Sequence, residues 1–430
     1  ESTFSKNQRL RALDRAFINE LVLGTLRWRS RLDRAIYRAA KFPGEKIDAR
    51  LLQLLRLGAY QILFMDRVPD SAAVNESVRL ARVFFKNDKI AGFANALLRS
   101  IARNKDQEDF ADFEGQPVEY ITEALSHPKW MVERWVREFG PATTRKLCAA
   151  NNLPPPFTVR VNTLKTSRKT LQERFAAQGT KSQPTPFSPE GLIFPESLSL
   201  ADEPLFQEGL YMIQDEASQI ISHLLNPQPG ERVLDACAAP GGKSTHLAQL
   251  MEDRGEIVAL DLYRQRIDLI RKNCQRMGIS MVNVLRADAT KPLPFPAGII
   301  FDQILVDAPC TALGILHRNP EAKWRQTPQN ALRLQRLQLA LLENVYSRLK
   351  PGGVLLYSTC TMTQEENDRV AEAFLHNHKE FHLQDLRLIV PQSFHPLIDE
   401  KGFLRTYPGL TTAGDQYRLD GFFAARMVRT

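Results

Sequence analysis

The sequence has few cysteines and no long apolar run. Its five cysteines are scattered over 430 residues and none forms a CxxC pair, so neither a zinc ribbon nor a disulfide framework is expected. No run of about 18 apolar residues occurs, which predicts that the chain has no membrane-spanning helix. The stretch Ser5–Arg9 is polar and unlike a signal peptide. These absences predict a cytoplasmic protein that holds no metal.

Positive charge is confined to one part of the chain. The whole sequence has 57 Lys and Arg against 49 Asp and Glu, a net charge of +8. Residues 1–110 hold 21 basic and 13 acidic side chains, and the remainder holds 36 of each. A basic segment on an otherwise neutral chain indicates a polyanionic partner, although chance clustering on a solvated helical face gives the same count.

The N-terminal part has the apolar spacing of a helical bundle. Apolar residues recur at helical intervals in segments 12–26, 49–65, 74–81 and 90–101, which predicts an all-helical domain. The acidic interval 105–120 is interpreted as a linker, and further helices are expected at 129–139 and 142–150. Short strands and helices then mix, which is typical of a small α/β module.

From about residue 227 strands alternate with helices. The predicted strands are 232–236, 257–260, 282–285, 303–306 and 354–357. This alternation predicts a doubly wound, Rossmann-like sheet with right-handed crossovers. We therefore expect three domains: residues 1–139, all-helical with its linker; 140–212, the small α/β module; and 213–430, a catalytic α/β domain.

The first strand of that domain leads into a glycine turn. The turn reads Cys237-Ala238-Ala239-Pro240-Gly241-Gly242-Lys243. Such a turn lets a ligand approach the backbone at a helix N-terminus. A phosphate-binding Walker A loop would need glycine where Cys237 stands, and the GxGxxG spacing of a dinucleotide site is absent. The remaining interpretation is the S-adenosylmethionine loop of a class I methyltransferase, in which Cys237 contributes only its backbone.

Acidic residues follow the next strands in the order that this interpretation requires. Asp261 ends the second strand, where it would meet the ribose, and Asp288 follows the third, where it would meet the adenine. The fourth strand ends in Asp307-Ala308-Pro309-Cys310. Taken singly, each aspartate is as typical of a turn or a helix cap. Their joint order favours a cofactor site.

Two cysteines follow consecutive strands. Cys310 comes after the fourth strand and Cys360 after the fifth, so both are expected at the carboxyl edge of the sheet, where ligands bind. A thiolate that adds to a pyrimidine ring turns the neighbouring carbon into a nucleophile, which permits methylation of that carbon. The residues alone do not decide which cysteine attacks. Cys148 and Cys274 fall on predicted helices and are assigned to the core.

The motifs resemble two known families. The resemblance of residues 157–426 to the RNA 5-methylcytosine methyltransferases of the Nop2/Sun/Fmu family rests on Arg160–Leu164, Gln214–Ser218, Cys237–Lys243, Asp307–Cys310, Ser358–Cys360 and Asp420–Phe423. The resemblance of residues 8–104 to NusB-type RNA-binding domains rests on Leu57–Met65, Val68-Pro69, Val74–Glu76 and Phe93–Arg99.

The resemblance implies a specific reaction. It implies methylation of carbon 5 of a cytosine in small-subunit ribosomal RNA, with S-adenosylmethionine as cofactor and a covalent cysteine–cytosine intermediate. Cys360 would be the nucleophile, Cys310 would resolve the intermediate, and Asp307 would hydrogen-bond the cytosine ring. DNA cytosine methyltransferases use a Pro-Cys nucleophile, so Cys310 is the alternative. We expect a monomer that acts on RNA before the subunit is fully assembled.

Candidate RNA contacts lie outside the sheet. They are the arginines Arg27, Arg29, Arg31, Arg34 and Arg38, whose forks match phosphate, and the loop residues His317 and Arg318. Trp28, within the arginine run, would either stack on a base or pack in the bundle.

Two other functions compete with this interpretation. An exocyclic-amine methyltransferase typically carries an aromatic residue after Asn/Asp-Pro-Pro, whereas this chain has Asp-Ala-Pro-Cys at 307–310. A non-catalytic RNA-binding factor would need neither the cofactor loop nor the two cysteines.

Overall fold

The computed structural model describes residues 10–40, 47–107, 109–196, 198, 203–296, 298–409 and 418–430. The polar stretch Ser5–Arg9 lies outside these ranges. The chain forms two compact units: the first comprises residues 1–154 and 316–325, and the second comprises 155–315 and 326–430. The expected division into three domains stays a prediction. None of the helices in the described ranges has the length and apolar character needed to cross a membrane.

The first unit is helical, as predicted. Its helices are α1 (Ala12–Arg27), α2 (Arg29–Ala40), α3 (Ala49–Phe64), α4 (Asp70–Phe85), α5 (Asp88–Arg103), α6 (Pro117–Ala124), α7 (Lys129–Phe139), α8 (Pro141–Asn151) and the short α14 (Ala322–Arg325). Helix α3 begins after Asp48, whose carboxylate accepts hydrogen bonds from the backbone N–H groups of Arg50 and Leu51. The apolar faces of α2, α3 and α5 meet in one core, in which Leu32, Leu55 and Leu98 are fully buried.

The predicted linker is shorter than expected. Helix α6 begins at Pro117, inside the interval 105–120, with proline in its first turn. A proline at this position is a helix start signal, because its missing N–H would have no partner there in any case. The ring of Tyr120 packs edge-on against Phe113 at 5.5 Å, so the end of the acidic interval is part of the folded unit.

The second unit contains a small antiparallel sheet. Its strands are β1 (Phe157–Val161), β2 (Gln183–Pro184), β3 (Gly191–Phe194) and β4 (Tyr211–Ile213), in the order β2-β3-β1-β4, with helices α9 (Arg168–Ala177) and α10 (Pro204–Gln207). Val161, Phe175 and Leu192 form its buried core. The predicted mixture of short strands and helices is confirmed.

The large sheet of this unit has the predicted parallel strands. They are β5 (Arg232–Asp235), β6 (Glu256–Asp261), β7 (Val282–Arg286), β8 (Phe301–Asp307) and β9 (Leu349–Thr359), in the order β9-β8-β5-β6-β7. The helices are α11 (Glu216–Leu225), α12 (Gly242–Leu250), α13 (Arg264–Met277), α15 (Pro328–Val345) and α16 (Asp368–Asn377). Consecutive residues of β5, Val233 and Leu234, belong to different apolar clusters, because successive side chains of a strand point to opposite faces.

The sheet also has an edge that strand–helix alternation did not predict. Strand β12 (Phe423–Arg429) pairs antiparallel with β9, and β10 (Phe381–Leu383) and β11 (Leu404–Arg405) pair with β12. Strand β12 returns from the far end of the chain, so its pairing is a tertiary contact that the alternation does not reveal.

Candidate active site

Four strand ends bring the predicted site residues to one edge of the sheet. Strands β8, β5, β6 and β7 lie side by side and are parallel, so their carboxyl ends share that edge. Asp235 ends β5, Asp261 ends β6 and Asp307 ends β8, while Asp288 follows β7 closely.

The glycine turn after β5 has a conformation that favours glycine. Gly241 has a φ of +95°, and its N–H donates to the carbonyl of Ala238 at 2.7 Å. A Cβ atom at this position would lie 3.2 Å from the Cα of Ile270. Helix α12 begins directly after this turn, so its first N–H groups face the edge of the sheet.

A buried hydrogen bond fixes the start of α12 to β5. The Asp235 carboxylate accepts a hydrogen bond from the Ser244 hydroxyl at 2.7 Å. Burial raises the pKa of Asp235 to about 7. Cys237 lies in the turn itself. Burial, with the nearby carboxylates of Asp235, Asp307 and Asp261, raises the pKa of its thiol well above the usual value. That environment disfavours a thiolate and fits a backbone role for Cys237.

The two predicted cofactor carboxylates differ in their surroundings. Asp261 is buried, and its Oδ1 accepts from the N–H of Tyr263 at 2.9 Å. Asp288 is more exposed, and its Oδ1 accepts from both the N–H and the hydroxyl of Thr290. The two bonds to Thr290 lower the pKa of Asp288. In both Asp261 and Asp288, the local turn therefore uses Oδ1 and does not use Oδ2.

Asp307 is held by two neighbours. Its Oδ2 accepts from the Lys243 ammonium at 2.6 Å, and its Oδ1 accepts from the Ser358 hydroxyl at 2.8 Å. Lys243 stands at the start of α12 and Ser358 lies opposite Asp307 in the β8–β9 register. Lys243 therefore links the glycine turn to the end of β8.

The two predicted catalytic cysteines are in contact. The Sγ atoms of Cys310 and Cys360 lie 3.2 Å apart, because β8 and β9 are parallel neighbours and each cysteine follows its strand. The hydrogen bond with Cys360, together with burial, raises the pKa of the Cys310 thiol well above its usual value. Cys310 therefore favours the neutral, protonated form.

Glu366 organises both cysteine loops, and no sequence motif pointed to it. Its fully buried carboxylate accepts from the N–H of Thr311 at 2.9 Å, from the Thr311 and Thr363 hydroxyls, and from Gln338 at 3.1 Å. Thr311 follows Cys310, and Thr363 follows Cys360. An acidic residue in a threonine-rich loop shortly after the cysteine is the signal that would have revealed it.

A close glycine pair shapes the loop after Cys310. The N–H of Gly314 donates to the carbonyl of Cys360 at 3.0 Å, and the N–H of Gly421 donates to the carbonyl of Gly314 at 2.7 Å. A Cβ on Gly314 would lie 2.0 Å from the carbonyl oxygen of Gly421. Because neither residue has a Cβ, the backbones at Gly314 and at the motif residue Gly421 can approach this closely.

The motif residue Arg160 is fully buried and holds the start of α12. Its guanidinium donates to Gln249 at 2.7 Å, to the Thr245 hydroxyl at 2.8 Å and to the carbonyl of Gly242 at 2.6 Å. Arg160 lies on β1, so these bonds fasten the small sheet to the helix of the cofactor turn. This interaction is long-range in sequence, which is why motif spacing did not reveal its purpose.

The arginine run of the first unit divides into buried and accessible members. Arg27 is buried and donates to the carbonyl of His317 at 3.2 Å, which contradicts its predicted phosphate contact. Arg31, Arg34 and Arg38 line a cavity of about 260 Å³ together with Lys105. Of the other candidates, Arg29 stacks its guanidinium over the Trp324 ring at 5.0 Å, whereas the His317 side chain is buried.

Trp28 packs in the bundle. Its ring stacks on Phe64 with centroids 4.7 Å apart, and the Arg31 guanidinium lies over it. Of the two roles that the sequence allowed, the structure favours packing.

Five parallel strands with an antiparallel edge, a glycine turn after the first of these strands and polar side chains at their carboxyl ends form a mixed sheet of the α/β methyltransferase type. The chain is 35% identical over 427 residues to the probable ribosomal RNA small subunit methyltransferase B of Bacillus subtilis (strain 168), a match that covers 98% of this chain and 92% of that protein. The chain belongs to the RsmB/F family of 16S rRNA methyltransferases. The family that the sequence motifs indicated, Nop2/Sun/Fmu, is confirmed.

Family models and solved structures agree with this assignment. The NusB family matches residues 2–103, the ferredoxin-like domain of RsmF/B-like methyltransferases matches 127–201, and the RsmB/F methyltransferase matches 222–428. The crystal structure of PH0851 superposes with a TM-score of 0.82 at 28% identity, covering 99% of this chain and 93% of that one. The structure of NSun6 from Pyrococcus horikoshii with SFG has a TM-score of 0.62 at 25% identity, and the match covers 70% of this chain and 98% of that one.

Proposed function

We propose that this protein methylates carbon 5 of a cytosine in small-subunit ribosomal RNA, in the cytoplasm, through a covalent bond between a cysteine and the base. The contact between the Cys310 and Cys360 thiols at the carboxyl edge of the sheet carries the proposal. Membership of the RsmB/F family supports rRNA as the substrate.

S-Adenosylmethionine fits the edge formed by the glycine turn. The N-terminus of α12, the backbone of residues 237–242 and the carboxylates of Asp261 and Asp288 would hold it, since hydroxyl groups and an adenine amine pair well with carboxylates. When bound, the cofactor supplies an electrophilic methyl group. This chemistry requires no metal.

Cys360 acts as the nucleophile in this proposal. Its sulfur forms a bond to carbon 6 of the cytosine, and the electron pair displaced from the 5,6 double bond makes carbon 5 nucleophilic. Asp307, held between Lys243 and Ser358, hydrogen-bonds the ring nitrogen and favours its protonation. The target base must be unpaired or turned out of its helix to reach this edge.

Cys310 resolves the intermediate. After carbon 5 has been methylated, its proton leaves to a base and the electron pair expels the Cys360 thiolate. Cys310 touches Cys360, so its sulfur stands beside the bond that must break and takes the proton of carbon 5 once its own proton has passed to solvent.

The helical unit supplies RNA affinity. Arg31, Arg34, Arg38 and Lys105 converge on one cavity, and arginine forks match phosphate oxygens. This basic cavity holds four of the basic side chains of residues 1–110, of which Arg34 is paired with Glu123 and Lys105 with Asp70. We propose that the protein acts as a monomer on RNA that is not yet fully assembled into the subunit.

Methyl transfer to protein-free small-subunit rRNA tests the reaction. Labelled S-adenosylmethionine should place the label on carbon 5 of a cytosine, and Cys360→Ala should abolish transfer. Label on an exocyclic nitrogen, or no transfer, would contradict the proposal and favour the amine-methylating or non-catalytic alternative.

The Cys310→Ala variant assigns the two thiols. It should accumulate a protein–RNA adduct that survives denaturation, and a further Cys360→Ala change should remove the adduct. If Cys360→Ala instead accumulates the adduct, the roles are reversed and Cys310 is the nucleophile.

A further inference from the structure

Three side chains of types that can bind metal ions lie close together in the second unit, away from the cysteines. Glu190 lies just before β3, His223 lies on α11 and His246 lies on α12. The Nε2 atom of His223 is 3.0 Å from Oε2 of Glu190, and Nε2 of His246 is 3.8 Å from the same oxygen. One ligand atom from each residue lies within 4.8 Å of the other two.

His246 lacks the partners that a packing histidine would have. Its side chain is fully buried, and neither ring nitrogen has a hydrogen-bond partner among the described residues. A buried polar group without a partner is costly, because it has given up water and gained nothing in exchange. The Nε2 atom faces the Glu190 carboxylate at a distance too long for a hydrogen bond but suitable for a shared ion.

The cluster offers one carboxylate and two imidazoles, which are ligand types that zinc binds. Oε2 of Glu190 lies within 4 Å of a ring nitrogen of each histidine. The buried Arg160 guanidinium donates to Gln249, Thr245 and the Gly242 carbonyl.

The two separations from Glu190 suit a tetrahedral ion. Bonds of about 2.1 Å place tetrahedral ligand atoms roughly 3.4 Å apart, and the two separations from Glu190 bracket that value. We propose that Glu190, His223 and His246 bind one zinc ion or a chemically similar divalent cation. The His223 side chain is 19% exposed, which gives water access to the fourth position.

A supporting hydrogen bond orients the carboxylate. The Ser188 hydroxyl donates to Oε2 of Glu190 at 3.1 Å and lies 2.6 Å from Oε1 of Gln219. Ligating groups in metal sites commonly have such outer hydrogen bonds. The ion would fasten the small sheet to α11 and α12, behind the cofactor turn. This role is structural, and it is independent of the proposed methyl transfer.

A zinc ion at this cluster revises the expectation of a metal-free protein. That expectation rested on the absence of a CxxC pair, whereas these ligands are far apart in sequence and share no spacing motif. Only the packing of α11 and α12 against the loop before β3 brings them together.

Cobalt titration of the chelator-treated full-length protein tests the site. We expect one equivalent of Co²⁺ to give the visible bands of a tetrahedral ion without a thiolate charge-transfer band, and one equivalent of Zn²⁺ to displace it. His223→Gln and His246→Gln should each weaken affinity at least tenfold. The control His382→Gln, which changes an exposed histidine of the same unit, should leave affinity unchanged.

Several results would overturn the proposal. They are the absence of stoichiometric binding, affinity unchanged in His223→Gln, and a thiolate charge-transfer band that disappears in Cys310→Ala, which would place the ion at the cysteine pair. Circular dichroism checks that each variant folds. Because His246 is fully buried, the partly exposed His223 and the carboxylate variant Glu190→Gln decide the result if His246→Gln does not fold.

Discussion

The thiols of Cys310 and Cys360 lie 3.2 Å apart, although the two residues are 50 positions apart in the chain. Parallel pairing of β8 with β9 brings them together, since Asp307 lies opposite Ser358, Cys360 directly follows β9 and Cys310 is the third residue after β8. Two thiols in contact are susceptible to oxidation to a disulfide.

Mild oxidation should inactivate the protein reversibly. A thiol-specific oxidant such as diamide would take one hydrogen from each thiol and leave a Cys310–Cys360 disulfide, because little movement brings the sulfurs to the bonding distance of about 2.05 Å. The number of titratable thiols per chain should fall by two and methyl transfer should stop. Dithiothreitol should restore both the thiols and the activity. Activity retained with two fewer thiols would show that another pair had reacted.

Removal of the Asp307 carboxylate should damage catalysis more than folding. Asp307→Asn removes the ion pair with Lys243. It also removes the carboxylate that we propose hydrogen-bonds the ring nitrogen of the cytosine, so methyl transfer should fall by about a hundred- to ten-thousand-fold. The melting temperature should fall moderately, because the buried Lys243 ammonium keeps only a neutral amide as its partner. A matched change of charge, Asp253→Asn, should leave transfer unchanged. Equal decreases of activity in both variants would count against a catalytic role.

The close glycine pair gives a separate prediction. Gly314→Ala places a Cβ about 2.0 Å from the Gly421 carbonyl, which must move the loop that follows Cys310. We expect transfer to fall at least tenfold and stability to fall by about 1–3 kcal/mol, as for an overpacked core position. Gly298→Ala, where a Cβ meets no atom within 4 Å, is the control. A Gly314→Ala protein that is as active as the control would disprove this role.

Burial of Glu216 predicts a pH dependence of stability. Its Oε1 accepts from the N–H groups of Phe187 and Ser188, both at 2.6 Å, yet burial raises its pKa from 4.5 to about 7. Between these values the folded state keeps a proton that the unfolded state releases, so the free energy of unfolding falls as pH rises through this window. Below pH 4.5 the contribution is fully present.

The Glu216→Gln variant isolates this contribution. Urea unfolding at about pH 5 and about pH 8 should show a decline in the wild type that exceeds the decline in the variant by about 2 kcal/mol. Identical declines would mean that Glu216 titrates normally.

Phosphate binding by the basic cavity should appear in the salt dependence of RNA affinity. Changing Arg31, Arg34 and Arg38 to Gln should reduce the slope of log affinity against log salt concentration by about 0.7–0.9 for each phosphate that is no longer bound. Arg79→Gln, which changes an exposed arginine of the same unit paired with Glu76, should leave the slope unchanged. A slope unaffected by the triple change would place the RNA elsewhere.

The elements were largely predictable because they depend on local patterns. Helical spacing in α1, α3, α4 and α5 and strand–helix alternation from β5 to β9 follow from the periods of the two structures. The family and the glycine turn were predictable as well, because a turn such as 237–243 is contiguous in sequence.

Pairing and burial were decided by tertiary structure. The sequence by itself determined which side chains stand at the strand ends, since that depends on where each apolar run stops. It did not determine that β12 pairs with β9, that Arg27 is buried, or that Glu366 holds both cysteine loops. Each of these depends on contacts between residues distant in the chain, and such contacts exist only once the helices and strands have packed.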